Sequence, residues 1–226
     1  VTVVDLPGHG HSDWQDPDGL PGFADAVLDS VPEQAAWLGW SLGGLVALQA
    51  ALSQPARIGA LLLLASTPSF VRRSGWQSAM LPALLETFAS ELEADYERTL
   101  NRFLALQVYG SRQAGEVLRQ LHAGMLQRGQ PDPAALRAGL GMLHDTDLRA
   151  ACKAIGCPAL VLAGERDTLV PAAAARATAA LLPRGRIHIV AGGGHAPFLS
   201  EPGEVAGTMR DFLLPAASWH AVDGNG

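Results

Sequence analysis

The chain alternates short apolar runs with amphipathic or small-residue stretches. Val1-Thr2-Val3-Val4-Asp5 is a β-branched run ended by Pro7-Gly8, and it predicts a strand. A loop rich in Asp, Pro and Gly follows over 13–22. Residues 23–30 put Ala24, Val27 and Leu28 on one face and predict a short helix. Residues 35–40 predict a second strand, ended by Ser41. The small-residue stretch from Leu42 to Ser53 predicts a helix, closed by Pro55, which cannot continue one. Residues 58–66 predict a third strand, turned by Thr67-Pro68-Ser69.

The period then changes. From Ser78 to about Arg149 the spacing is helical: Leu81, Leu84, Leu85, Phe88 and Leu92 keep it, and Leu100, Phe103, Leu104 and Leu106 resume it. Breaks are expected at Gly110-Ser111 and at Gly129-Gln130-Pro131. Strand signals return over 159–163, ended by Gly164, and over 186–190, ended by Gly192-Gly193-Gly194. Helices are expected over 172–182 and 204–213, with a loose tail over 218–226. Strands alternating with helices imply an α/β fold, a mostly parallel sheet covered on both faces. The helical stretch between Thr67 and Cys157 is too long for one crossover. It reads as an inserted helical cap over the carboxyl edge of the sheet, where open α/β sheets bind ligands. The expected division is a core of 1–66 and 158–214, a cap of 67–157 and a flexible tail of 215–226.

Composition narrows the function classes. In 226 residues, 48% are hydrophobic and 17% charged, which excludes intrinsic disorder for most of the chain. A net charge of −6 gives no basic footprint for nucleic acid. The longest purely apolar run, Ala60 to Ala65, is far short of the roughly 20 residues that span a bilayer. No membrane association, a cytoplasmic location and a monomer are expected. Cys152 and Cys157 make no disulfide framework, and no His/Cys cluster suggests zinc, so neither metal nor cofactor is expected. Val1 is no start methionine and already stands in strand-like sequence, so the chain is expected to lack its N-terminal part, including any targeting signal.

The chemistry centres on Gly39-Trp40-Ser41-Leu42-Gly43, a G-x-S-x-G between an apolar strand and a helix. A tight strand-to-helix bend leaves the Ser41 hydroxyl exposed, and a Cβ at position 39 or 43 is expected to crowd that bend. The Leu42 amide, at a helix N-terminus, points to where a carbonyl oxygen would gain negative charge. Serine needs an adjacent general base. His195, after the glycine turn that follows the last strand, can carry an imidazole back over the sheet edge. Asp167, after the strand over 159–163, is the expected acid that orients it, in the chain order Ser, Asp, His. Glu165, two residues earlier, is expected to face elsewhere. His188 is expected to pack within its strand, His9 and His11 to serve turn or surface roles, and Asp145 and Asp147 to sit at a turn and a helix start.

Together these residues resemble the α/β-hydrolase superfamily over almost the whole chain, from Val3-Val4-Asp5-Leu6-Pro7-Gly8-His9-Gly10-His11-Ser12 to the helix after His195. More narrowly, three segments are similar to the pimeloyl-acyl-carrier-protein methyl ester esterases of biotin synthesis. They are Trp37 to Ala47, Arg98-Thr99-Leu100-Asn101-Arg102-Phe103-Leu104-Ala105-Leu106-Gln107, and Gly194 to Ser200. The cap segment is the most specific, because it falls in a region that usually varies. The resemblance implies hydrolysis of the methyl ester that masks a pimeloyl chain held on an acyl carrier protein, with activity on small carboxylic esters besides.

The resemblance also implies carrier-protein contacts at Arg98, Arg102 and Arg119, with Gly115 at a further family position. Arg98 and Arg102 are four apart, hence on one helix face, and Arg112 can extend that surface. Acyl carrier proteins are strongly acidic, so such a face would orient one. An ordinary solvated helix face, with Glu93, Asp95 and Glu97 nearby, is the plainer alternative. Trp40, Phe70 and Phe103 are candidates to line an apolar acyl channel, with core packing an equal alternative for each. In the family a further strand lies between those over 1–5 and 35–40, and a second oxyanion donor precedes the first. The stretch from Val1 is therefore expected to be unstable or inactive alone. Two other functions stay open: another capped serine hydrolase (a general short-chain carboxylesterase or lactonase), and a non-catalytic binding protein of the same fold. A haloalkane dehalogenase is disfavoured, since that chemistry needs a carboxylate in place of Ser41.

Overall fold

In the computed structural model the described residues are 1–108 and 114–216, the side chains of some residues within 93–128 and of 215–216 excepted. The expected break at Gly110-Ser111, Arg112 and the tail from Ser218 lie outside them. The elements run α1 (Gly19–Asp29), β1 (Ala35–Trp40), α2 (Leu42–Ser53), β2 (Ile58–Leu64), α3 (Pro82–Ala94), α4 (Tyr96–Val108), α5 (Ala114–Arg128), α6 (Pro133–Asp145), β3 (Ala159–Gly164), α7 (Ala172–Leu181), β4 (Gly185–Val190), α8 (Pro197–Ser200) and α9 (Pro202–Ala216). The four strands form one parallel sheet in the order β1-β2-β3-β4.

Successive side chains on a strand point to opposite faces, and the two central strands use both. Leu61, Leu63, Val161 and Ala163 pack with α1, α2 and α7 in the main core, where Phe23, Leu45 and Leu48 are fully buried. Leu62, Leu64, Leu160 and Leu162 face the other way, against Phe212 of α9. This explains why β2 and β3 read as continuous apolar runs: both faces are covered.

The first predicted strand is corrected. Residues 1–5 make no ladder with the described strands, and Val1 and Val3 are exposed. A β-branched run becomes a strand only where a neighbour supplies hydrogen bonds, and β1 pairs with β2 alone among the described strands. The segment is instead tied to its own turn. Asp5 accepts from the His11 amide at 3.1 Å through its carboxylate and from the Ser12 hydroxyl at 2.8 Å through its carbonyl. His9 has the turn role expected, its Nδ1 lying 3.0 Å from the Pro7 carbonyl.

Among the described residues, four α-helices, α3 to α6, lie between β2 and β3. The helical period breaks once more than the spacing predicted, at Asp95, whose carboxylate accepts from the Arg98 amide at 3.1 Å and caps α4. α6 returns to the strand ends: Gly139 lies against Leu42 at the start of α2, and the Asp132 amide donates to Gly8. Both flanks of the insertion are tied down. Arg73 donates to the Ser69 hydroxyl and the His144 carbonyl, and Arg149 to Asp147 and the Ser74 carbonyl. Among the described residues no helix is long and apolar enough to cross a membrane.

Candidate active site

Three loops at the carboxyl ends of parallel strands converge. Ser41 follows β1 with φ +53° and ψ −120°, a conformation that L-residues avoid at a cost of about 1–3 kcal/mol. Its surroundings hold it there. The Ser41 amide donates to the Leu64 carbonyl at 3.0 Å, and its own carbonyl accepts from the Ser66 hydroxyl at 2.7 Å. A Cβ on Gly39 would stand 2.2 Å from the Gly43 carbonyl oxygen, so the bend admits glycine there. The second expected glycine is corrected. A Cβ on Gly43 meets nothing within 4 Å, because Gly43 crowds the bend with its carbonyl instead. Gly44 is the second constrained position, since its Cβ would lie 2.3 Å from the Ser66 hydroxyl.

His195 follows β4 through Gly192, whose φ is +70°. Its Nε2 lies 2.9 Å from the Ser41 hydroxyl and its Nδ1 2.8 Å from the Asp167 carboxylate. The other Asp167 oxygen accepts from the amides of Leu169 and Val170 at 2.8 and 2.9 Å. Both side chains of the His195–Asp167 pair are essentially inaccessible, at 1% and 0% exposed. Two backbone amides and a ring N–H thus satisfy a buried carboxylate that would otherwise be costly. The acid and histidine loops are also joined directly. The Arg166 amide donates to Gly193 at 2.9 Å, and the Glu165 carboxylate accepts from the Gly192 amide at 2.9 Å. Glu165 thus bonds the glycine turn, while the carboxylate on the His195 ring is that of Asp167.

This geometry lets an imidazole withdraw a hydroxyl proton while a buried carboxylate stabilises the resulting cation. Leu42 begins α2, so its amide has no acceptor within the helix and is free for a developing anion. The cysteines do not compete as nucleophiles: burial pushes the Cys152 thiol up to about 12, and it also raises Cys157.

The other candidates fall in three places. Trp40, half-buried, donates its indole N–H to the His195 carbonyl at 2.9 Å and meets Phe198 edge to face. Phe70 is 2% exposed within the main core, which favours its packing alternative. The side chain of Phe103 lies outside the described residues. Arg98, Arg102 and Arg119 are exposed on α4 and α5, Arg102 paired with Glu91 and Arg119 with Glu116. His188 is corrected: it does not merely pack but pairs with Glu204 of α9 at 2.7 Å. Local spacing gave no signal for Ser66, or for the bond from Trp40 to a residue 155 positions away.

Residues 1–208 match the model of the alpha/beta hydrolase family. The chain belongs to this family. Within it, the chain is 48% identical to a pimeloyl-[acyl-carrier protein] methyl ester esterase of Stenotrophomonas maltophilia (strain R551-3), over 94% of this chain and 82% of that protein. It is 46% identical to one of Xanthomonas oryzae pv. oryzae (strain MAFF 311018), over 94% and 84%. Among solved structures, an esterase from Exiguobacterium antarcticum superposes with a TM-score of 0.84 at 21% identity, over 93% of this chain and 80% of that one. That likeness concerns the alpha/beta hydrolase fold, the open parallel sheet with helices on both faces.

Proposed function

We propose that this protein is a serine carboxylesterase. It hydrolyses the methyl ester of a pimeloyl chain carried on acyl carrier protein, releasing methanol and the free distal acid for biotin synthesis. A cytoplasmic setting belongs to the same reading, as does the division into a core, a cap over 67–157 and a tail. The observation that carries it is the unbroken line from Ser41 through His195 to Asp167, at 2.9 and 2.8 Å. The identity to the Stenotrophomonas and Xanthomonas esterases supports the choice of ester.

His195 takes the Ser41 proton as the oxygen attacks the ester carbonyl, and the Leu42 amide stabilises the oxyanion. The tetrahedral intermediate collapses, the C–O bond to the methoxy group breaks, and His195 returns its proton to give methanol. Water, deprotonated by the same imidazole, then attacks the acyl-serine and restores Ser41 as the carboxylic acid leaves. Asp167 stays ionised throughout and stabilises the imidazolium. Trp40 walls the acyl chain beside the nucleophile in this reading, and Phe103 is kept as a further candidate for that wall. Arg98, Arg102 and Arg119 receive the acidic carrier. Their surface ion pairs hold by at most about 1 kcal/mol each, so a carrier carboxylate can displace Glu91 or Glu116.

The decisive experiment compares the complete protein with its Ser41→Ala variant on methyl pimeloyl-carrier protein, following methanol release. Loss of about 10⁶ in kcat is expected, since triad members act as a unit. Near-normal turnover by the variant would refute the assignment. Equal kcat/KM for carrier-bound and free short esters would replace the carrier substrate with general esterase activity.

A further inference from the structure

Trp40 does more in this structure than stand beside the nucleophile. It is the last residue of β1, bonded through its backbone to Ser41. Its indole N–H donates to the backbone carbonyl of His195 at 2.9 Å. Its ring also lies against the His195 imidazole, centroids 5.8 Å apart at 44°, and against Phe198, at 5.2 Å and 75°. One side chain therefore touches the base through its backbone, its ring and the residue three positions on.

The loop that carries the base has reason to need this. It leaves β4 through Gly192-Gly193-Gly194, with Gly192 in the left-handed region, and glycine is the least constrained of residues. Its upstream half is held from the acid side, by the Arg166 amide on Gly193 and the Glu165 carboxylate on the Gly192 amide. His195 itself stands between that turn and α8, and its carbonyl is in neither a strand nor a helix ladder. The indole holds that carbonyl from the nucleophile side. Ser41 and His195 are thus referenced to one rigid group, and the 2.9 Å approach of Nε2 to the hydroxyl is fixed from both ends.

We infer that Trp40 is a positioning residue for the general base: its indole N–H sets the place of His195 by bonding the histidine's own carbonyl. This rests on the triad assigned above. It adds a role distinct from lining an acyl channel, and the two make different kinetic demands. A channel wall acts on KM and on long acyl chains more than short ones. A group that aims the base acts on the acylation step for every ester alike, and an error near 1 Å in such a placement costs roughly 10²-fold.

The test replaces Trp40 in the complete protein in two ways. Trp40→Phe keeps an aromatic ring but deletes the donor. Site-specific substitution of Trp40 by benzothienylalanine keeps the bicyclic shape and exchanges only the N–H for sulfur, which guards against a folding defect in the first variant. Each is assayed on methyl acetate and dimethyl pimelate, and by the rate at which a fluorophosphonate labels Ser41. Both variants should lose about 10–100-fold in kcat and in labelling rate on short and long esters equally, with little change in KM. Their thermal unfolding should stay within a few degrees of the parent. If the benzothienyl variant labels and turns over within twofold of the parent, the inference is overturned. A loss confined to the pimelate ester, seen mainly in KM, overturns it equally and leaves Trp40 as a wall. Failure of the parent itself to label at Ser41 would instead strike the triad, so the two ideas fail separately.

Discussion

At the scale of single residues, the nucleophile turn divides three neighbouring glycines by what surrounds them. The pattern G-x-S-x-G marks Gly39 and Gly43 alike, yet only the former has backbone within 2.5 Å of where a Cβ would go. Gly39→Ala should disrupt the bend itself. Gly44→Ala forces a methyl onto the Ser66 hydroxyl that holds the Ser41 carbonyl, and overpacking of this kind costs about 1–3 kcal/mol. Gly43→Ala meets open space in a helix and should be neutral or stabilising by up to about 1 kcal/mol. Denaturant unfolding of the three variants, compared at their midpoints, checks the order. Asp167→Asn makes a second prediction at this scale. Its amide oxygen can still accept from Leu169 and Val170, so stability should change little. The charge that stabilises the imidazolium is gone, and kcat should fall by about 10⁴. Ordinary ester turnover by a well-folded Asp167→Asn protein would remove Asp167 from the site.

At the scale of elements, the sequence was most legible where local signals agree. The bounds of β1 and α2 follow from an apolar run, a serine and a small-residue helix in direct succession, and the structure places them as expected. Legibility fails where distant groups decide. The strand expected to reach Ser66 stops at Leu64, because Ala65 turns into the left-handed region at φ +46° and aims Ser66 at Ser41. Residues 1–5 have no ladder partner among the described residues, and no local propensity can supply one. The helices α3 to α6 were readable as helices, but not how they are tied together. One such tie is titratable. His144, at the end of α6, reaches Asp145 at 2.7 Å and Glu86 of α3 at 3.3 Å. The hydrogen bond that the His144 ring donates to the Asp145 carboxylate, aided by Glu86, holds its pKa above the ordinary imidazole value of 6.5. The folded pKa exceeds the unfolded one, so the stabilisation is complete below about 6.5 and is lost as pH rises through the raised value. The pair is over one-third exposed, which limits the effect to a few tenths of a kcal/mol. Amide exchange at the end of α6 should accelerate from mildly acidic to mildly alkaline pH beyond the intrinsic rate, and His144→Gln should abolish that excess. An excess that survives the substitution would place the titrating group elsewhere.

At the scale of the whole molecule, the net charge and the proposed substrate pull in opposite directions. A chain of −6 repels an acidic carrier at long range, so in the proposed docking the approach depends on the local field of α4 and α5. The exposed guanidinium groups of Arg98, Arg102 and Arg119 supply that field, although Glu91 and Glu116 neutralise part of it. The sign of each group gives a paired prediction. Reversing charge with Arg98→Glu and Arg102→Glu together should lower kcat/KM for methyl pimeloyl-carrier protein by about tenfold or more at low salt, through slower encounter. Free dimethyl pimelate carries no charge to steer, so its hydrolysis should fall far less. Removing the competing charge with Glu91→Gln should act oppositely, releasing Arg102 and raising carrier kcat/KM by about two- to threefold. Salt supplies the internal control. The screening length shrinks from about 10 Å at 0.1 M to about 3 Å at 1 M, so both differences should close as salt is raised while the free ester is barely affected. A carrier-ester rate indifferent to salt and to both substitutions would mean that this arginine face is only a solvated helix surface. The carrier would then dock elsewhere, and Ser41, His195 and Asp167 would keep the chemistry proposed for them.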